Sequence, residues 1–137
     1  MAAEYTKPLP NVQRERSKPF WDATKRRELV LQKCPGCGYV RHPAASLCPE
    51  CLAENNEWAP MSGRGEVWSF GIYHQVYNPA FRDDVPYNVA LVRLDEGPIL
   101  ISNIVNTPKE DIHIGMKVKV AFDEVTDEAT LPKFEPA

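Results

Sequence analysis

Four cysteines in two CxxC pairs constrain the fold of this 137-residue chain more than any other feature of its sequence. The first pair is Cys34 and Cys37, and the second is Cys48 and Cys51. Two such pairs on separate tight turns can bring four thiolates into a tetrahedron around one Zn²⁺ ion. A site with four sulfur ligands has no open position for water or substrate. The sequence therefore predicts a structural zinc ion in a small ribbon.

Two redox dithiols or four free thiols are the alternative interpretations of the cysteines. A thioredoxin-type CxxC adjoins a βαβ pattern, and this sequence has no such pattern. Gly36, Gly38 and the prolines at 35 and 49 suit the tight turns of metal-binding knuckles. His42 lies near the first pair, but four thiolates need no fifth ligand, so we interpret it as a surface residue.

The composition is close to that of a soluble globular protein. The apolar fraction is 43%, and no run approaches the roughly 18 apolar residues of a membrane span. The first residues lack the apolar segment of a secretory signal, so we expect a cytoplasmic location and no membrane partner. In a reducing compartment, a cysteine cluster favours metal binding over disulfides.

The net charge of −3 is unevenly distributed along the chain. Residues 1–42 carry nine Lys and Arg against four Asp and Glu, whereas residues 43–137 carry seven against fifteen. Residues 1–42 can therefore bind an anionic partner or ligand, whereas residues 43–137 would repel one.

A helical segment is predicted within residues 1–28. Ser17 is a suitable N-cap, Pro19 falls in the first turn, and helix-forming residues follow. Phe20 and Trp21 lie on adjacent faces of this helix. A lone helix of this length is marginal in water, so it must dock on its own ribbon or on another chain.

The remainder reads as mostly β structure, with the zinc ribbon in residues 29–60 and a barrel in residues 61–137. Residues 65–77 alternate in polarity, which predicts one strand with a common face formed by Trp68, Phe70, Ile72 and Val76. Further strands are predicted within 87–95, 99–105, 115–122 and 130–136. Five strands in about 70 residues suit a small closed or half-closed barrel.

The sequence offers no convincing catalytic residue. It contains no GxGxxG, P-loop, HExxH or GxSxG motif. His74 falls in the apolar series of the first barrel strand, where it is either a buried base or, as is more common, a core or rim histidine. The adjacent acidic pairs cannot form an acid–base couple on a strand, because neighbouring side chains point to opposite faces.

The order of helix, four-cysteine ribbon and five-stranded barrel resembles the DUF35 family over about residues 17–136. Members of this family combine a rubredoxin-like zinc ribbon with an OB-fold and are associated with acyl-CoA metabolism. The motifs that carry the resemblance are Phe20-Trp21, Cys34-Pro35-Gly36-Cys37-Gly38, Cys48-Pro49-Glu50-Cys51, Gly63-Arg64-Gly65-Glu66-Val67-Trp68-Ser69-Phe70, Pro86-Tyr87-Asn88-Val89-Ala90-Leu91-Val92-Arg93-Leu94, Ile114-Gly115-Met116-Lys117-Val118-Lys119-Val120 and Leu131-Pro132-Lys133-Phe134.

The resemblance implies a non-catalytic accessory or scaffold subunit that binds a thiolase-superfamily partner and helps to order or bind the CoA thioester. Alone the chain would then be no enzyme, although an acyl-CoA thiolase complex, expected to be a heterotetramer, would require it. Within the family it looks like the small subunit of an aromatic acyl-CoA thiolase of the benzoylsuccinyl-CoA type, which points to the degradation of aromatic compounds.

Candidate contacts to CoA or to the partner lie in the basic first third of the chain. CoA carries phosphates, which arginine and lysine bind through charge-assisted hydrogen bonds. The same residues can instead solvate the helix or pair with an acidic partner surface. The candidates are Phe20, Trp21, Lys25, Arg26, Arg27 and Arg41.

Single-stranded nucleic-acid binding is the alternative function, because zinc ribbons and OB-folds both occur in such proteins. Charge argues against it, since the acidic residues 43–137 would repel phosphate where a binding groove should be basic. We therefore expect no nucleic-acid partner.

Overall fold

A computed structural model describes residues 5–137 as one helix followed by two antiparallel sheets. Two short 3-10 turns, Pro79–Phe81 and Lys109–Asp111, lie in the connections of the second sheet. The elements are α1 (Lys18–Lys25), β1 (Val30–Lys33), β2 (Val40–Arg41), β3 (Glu57–Pro60), β4 (Arg64–Tyr73), β5 (Tyr87–Leu94), β6 (Ile99–Ser102), β7 (Lys117–Glu124) and β8 (Thr130–Pro136).

Helix α1 packs on its own chain, against β1 and β8. Ser17 is the N-cap residue, but its side chain makes no capping hydrogen bond. The helix ends in a Schellman arrangement, in which the Glu28 N–H donates to the Ala23 carbonyl and Arg27 adopts a φ of 60°. Phe20 is buried and meets Trp21 edge-on at a ring-centroid distance of 4.9 Å. The aromatic pair therefore anchors the helix to the rest of the molecule.

The ribbon is a three-stranded sheet with the order β2–β1–β3. Strand β1 pairs with β2 on one side and with β3 on the other, which places Gln32 opposite both Arg41 and Trp58. Strand β3 lies within the predicted ribbon, residues 29–60, but none of the predicted strands includes it. Pairing with β1, a contact distant in sequence, makes it a strand.

The second sheet has the order β6–β5–β4–β7–β8 and curls so that its edges meet. A parallel bridge joins Ile104, just after β6, to Phe134 in β8. The Phe134 N–H donates to the Asn103 carbonyl at 3.1 Å, and the Val105 N–H donates to the Phe134 carbonyl at 2.8 Å. This closure produces the five-stranded half-barrel of an OB-fold and confirms the predicted fold class.

The predicted common face of Trp68, Phe70, Ile72 and Val76 is wrong, because β4 contains a β-bulge at Trp68. The register with β5 shifts between Val67 and Ser69, so that Val67 and Phe70 both face the core. Val67 is 1% exposed, whereas Trp68 is 46% exposed and lies near the Arg93 guanidinium. An extra residue reverses the alternation of side chains, so a period of two cannot hold across the bulge.

One hydrophobic core runs through helix, ribbon and barrel. Phe20, Leu29 and Leu31 belong to the same buried cluster as Val67 and Phe134. The orientation of the ribbon on the barrel is consequently set by shared apolar packing. Within residues 5–137, no helix is long and apolar enough to cross a membrane.

Candidate metal centre and adjoining cavity

The four cysteines lie on two turns with the same backbone hydrogen bonds. In the first turn the Gly38 N–H donates to the Cys34 carbonyl at 2.8 Å, and the Cys34 N–H donates to the Tyr39 carbonyl. In the second turn the Leu52 N–H donates to the Cys48 carbonyl at 2.8 Å, and the Cys48 N–H donates to the Ala53 carbonyl. The two turns present their thiols to a common point.

The sulfur positions fit a tetrahedral metal ion. All four Sγ atoms lie within 4.8 Å of one another. The Cys34–Cys51 and Cys37–Cys48 sulfur pairs are each 3.6 Å apart. Four sulfurs at about 2.3 Å from one zinc ion would be separated by about 3.8 Å, so little movement is needed to coordinate it.

The ionisation of each thiol depends on its neighbours in the cluster. A hydrogen bond from the Cys37 N–H lowers the pKa of the Cys34 thiol to about 6. At Cys37 the Tyr39 N–H acts to lower the pKa, but desolvation of the sulfur and the neighbouring Cys48 and Cys51 thiols outweigh it and raise the pKa to about 12. Adjacent thiolates repel one another, and a divalent ion bound among them would favour deprotonation of all four.

This cluster uses every cysteine in the described part of the chain, which leaves no thiol outside it for covalent catalysis. Cys34 and Cys48 are buried, whereas Cys37 and Cys51 lie at the surface. His74 is exposed just beyond β4, so it is not the buried base that the alternation allowed. Four thiolates around one metal ion would form a closed tetrahedral site, which would give the cluster a structural role.

A cavity of about 620 Å³ lies where α1, the ribbon and the open part of the β6–β8 edge meet. Pro132 has no N–H to pair across this edge, and Ser102 Oγ donates to its carbonyl at 2.8 Å. The walls combine aromatic and basic side chains. The residues lining it are Arg14, Arg16, Ser17, Phe20, Trp21, Arg41, His42, Pro43, Ala44, Trp58, Leu100, Ile101, Ser102, Asn103, Leu131, Pro132 and Lys133.

The cavity brings together only half of the predicted CoA or partner contacts. Phe20, Trp21 and Arg41 line it, whereas Lys25, Arg26 and Arg27 are exposed outside it. Arg26 lies 3.5 Å from Glu28, and Arg27 lies 3.7 Å from Glu124. Arg41 therefore lies at the cavity, whereas Arg26 and Arg27 lie at the surface beside acidic side chains.

Sequence reasoning missed His42, Trp58 and Lys133 as cavity residues. His42 is not a surface residue, because it is half-buried with its ring centroid 5.3 Å from that of Phe20. Burial lowers the pKa of His42. No local spacing identifies these three residues, because they reach the cavity from separate elements.

Comparison with known protein families gives two matches along the chain. Residues 21–57 match the family model described as the ChsH2 rubredoxin-like zinc ribbon domain. Residues 58–123 match the model described as the ChsH2 C-terminal OB-fold domain. The matched regions correspond to the second half of α1 with most of the ribbon, and to the end of the ribbon with most of the barrel.

Curated relatives carry names from several acyl-CoA enzymes. The chain is 39% identical over 132 residues, 96% of its length but 40% of the relative's, to a "Probable enoyl-CoA hydratase alpha subunit" of Thermomonospora curvata. It is 32% identical to a "DUF35 domain-containing scaffold protein" of Methanocaldococcus jannaschii, over 79% of this chain and 77% of that one. A shorter match, 42% identical over 28% of this chain and 26% of the relative, is to "Benzoylsuccinyl-CoA thiolase subunit BbsA" of Thauera aromatica.

A solved structure described as "Ltp2-ChsH2(DUF35) aldolase" has a similar architecture. The superposition has a TM-score of 0.82 at 37% sequence identity and covers 95% of this chain and 98% of that one. The similarity includes helix, ribbon and barrel in one arrangement.

Proposed function

The chain belongs to the DUF35 family, and from this membership we propose that it is a non-catalytic accessory subunit that binds a thiolase-superfamily enzyme and helps to order or bind its CoA thioester. In this proposal Cys34, Cys37, Cys48 and Cys51 bind one structural Zn²⁺ ion. The subunit is required by the complex, and the partner performs the chemistry.

One observation carries the proposal: all four thiols of the described chain lie within 4.8 Å of one another. A thiolase forms its acyl-enzyme on a free cysteine, which needs an ionised and accessible thiol. Thiols that are committed to a closed metal site cannot serve as that nucleophile. The nucleophile must therefore lie outside these 137 residues.

Relatives named as scaffold, hydratase and aldolase components support the accessory role but leave the partner's reaction open. The assignment of a thiolase partner follows the family resemblance, as do the heterotetramer and the aromatic substrate of benzoylsuccinyl-CoA type. The short match to a thiolase subunit is consistent with it. The proposal also includes the division of the chain into three segments at residues 28 and 60. Its candidate contacts to CoA or to the partner are Phe20, Trp21, Lys25, Arg26, Arg27 and Arg41.

The test is purification of the tagged chain from its native source, followed by identification of its partner and assay of acyl-CoA thiolysis. We expect the complex to cleave the thioester and the isolated chain to show no turnover. Capture of a hydratase or aldolase would keep the accessory role but overturn the thiolase assignment. A chain that purifies without any acyl-CoA enzyme, or that cleaves thioesters unaided, would contradict the accessory role.

A further inference from the structure

Arg41 is a buried cation with no counterion among the described residues. It is 5% exposed, and its Nε and Nη2 atoms donate to neutral acceptors, the Gln32 Oε1 atom at 3.0 Å and the Ala45 carbonyl at 3.2 Å. Its Nη1 atom is buried and has no hydrogen-bond partner. Burial of a charge without a partner is costly in free energy, so a bound anion would stabilise this guanidinium.

The surroundings of Arg41 favour an anionic ligand. Arg41 lines the 620 Å³ cavity, and Arg14 and Arg16 lie on the same walls. Neither Arg14 nor Arg16 forms an ion pair with another residue in the part of the chain that the structure describes. Lys133 is already paired with Asp123 at 2.7 Å. No acidic side chain of residues 5–137 lines the cavity, so its potential is positive.

The remaining walls suit a flat organic group. Phe20, Trp21 and Trp58 line the cavity together with aliphatic side chains of β6. Aromatic side chains stack on planar rings such as nucleobases. The volume also falls within the range of about 300–1,000 Å³ that is usual for small-molecule sites.

We propose that this cavity binds the phosphorylated adenine nucleotide end of CoA, with Arg41 as the principal phosphoryl-binding residue. This inference rests on the proposed CoA-dependent function. The planar fork of a guanidinium matches two phosphoryl oxygens at once, which a lysine ammonium does not do. Arg14 and Arg16 add positive charge at the cavity wall, and the aromatic residues contact the base.

The test measures binding of 3′-phosphoadenosine 5′-phosphate, CoA, adenosine and inorganic phosphate to the purified full-length, zinc-loaded chain by titration calorimetry. We expect the nucleotide to bind at least tenfold more tightly than adenosine, with affinity that falls as salt increases. Arg41→Met should weaken nucleotide binding at least tenfold without loss of the fold, because it removes a charge that has no counterion.

Lys119→Met is the matched control, because Lys119 is an exposed basic residue of β7 that lies outside the cavity. Its affinity for the nucleotide should equal that of the wild type. If Arg41→Met does not fold, Ala44→Phe places a ring in the cavity while keeping Arg41, and it should abolish binding as well.

Three outcomes would overturn the inference. The first is absence of nucleotide binding to the wild-type chain. The second is equal binding by wild type and Arg41→Met. The third is that Arg41→Met no longer captures the partner while neither variant nor wild type binds the nucleotide. This result would indicate that Arg41 pairs with a carboxylate of the partner. Nucleotide binding by a chain that captures no acyl-CoA enzyme would instead keep the site and refute the accessory role.

Discussion

Gly38 and Leu52 occupy equivalent positions in the two cysteine turns. Each donates its N–H to the carbonyl of the first cysteine of its pair at 2.8 Å, and each has a positive φ, 80° for Gly38 and 63° for Leu52. The left-handed region costs a residue with a side chain about 1–2 kcal/mol and costs glycine almost nothing. The second turn therefore holds backbone strain that the first one avoids.

Leu52→Gly is expected to stabilise the zinc-loaded protein by about 0.5–1 kcal/mol, since part of the relieved strain is offset by the flexibility of glycine in the unfolded chain. The Leu52 side chain is 71% exposed, so its removal loses little apolar burial. The measurement is the urea midpoint at fixed zinc concentration, with an unchanged m value.

Gly38→Ala is the matched control for that change. A Cβ added at Gly38 would have nothing within 4 Å, so any cost comes from the backbone conformation alone. We expect a loss of about 1–2 kcal/mol. A lower urea midpoint for Leu52→Gly would contradict the strain argument.

Cys48→Ser is expected to abolish stoichiometric zinc binding and to unfold the ribbon. Structural zinc sites contribute about 10–16 kcal/mol of binding free energy to folding at neutral pH, and the loss of one thiolate removes a ligand from a complete set. Metal analysis should give one zinc per wild-type chain and much less for the variant. Limited proteolysis should cut the variant first within residues 29–60.

Ser46→Ala provides the control, because Ser46 is exposed in the loop before the second pair. It should retain zinc and resist proteolysis as the wild type does. Zinc retention by Cys48→Ser, or an intact ribbon after chelation, would rule out the structural role of the metal.

His42 should make the protein less stable in acid. Burial lowers its pKa in the folded state below the ordinary value of 6.5, so at mildly acidic pH the unfolded chain binds the proton more tightly. Stability from neutral His42 is thus complete above pH 6.5 and declines as the pH falls toward the folded pKa, by at most about 1.4 kcal/mol per pH unit.

The experiment compares unfolding of wild type and His42→Leu between neutral and mildly acidic pH, with zinc content monitored throughout. The variant should show a flatter dependence of stability on pH than the wild type. Identical slopes would refute the assignment to His42.

Phe134→Ala should cost about 3–5 kcal/mol, because the ring is fully buried and its removal leaves a cavity in the shared core. Phe134 also lies at the backbone bridge that closes the barrel. Ile101→Ala, at a site that is 75% exposed, should change stability by less than about 0.5 kcal/mol. Chemical denaturation of both variants compares the two sites, and similar losses would contradict this placement of the core.

Local sequence determined the features that depend on near neighbours. Each CxxC pair forms its own turn, so spacing alone identified the four thiols that the structure brings together. Helix α1 was also predictable, because Pro19 in the first turn and the helix-forming residues after it act within one or two turns of backbone. The Ser17 side chain makes no capping hydrogen bond. The mostly β composition and the barrel followed from short alternating segments.

Contacts between distant residues changed other features. The bulge at Trp68 reversed the faces of β4, and β3 became a strand only by pairing with β1. Neither feature has a local signal, because register and pairing are chosen by which face of the sheet is buried.

Tertiary structure alone decided where the basic residues act. The cavity assembles Arg14, Arg41, Trp58 and Lys133 from the segment before the helix, two ribbon strands and the last barrel strand. Sequence placed Arg41 among several equivalent cations, and only the folded structure shows that it is buried without a counterion among the described residues. Spacing along the chain sets backbone turns, but burial and electrostatic environment arise only when the closed sheet and the helix exclude water from one side chain and leave its neighbours exposed.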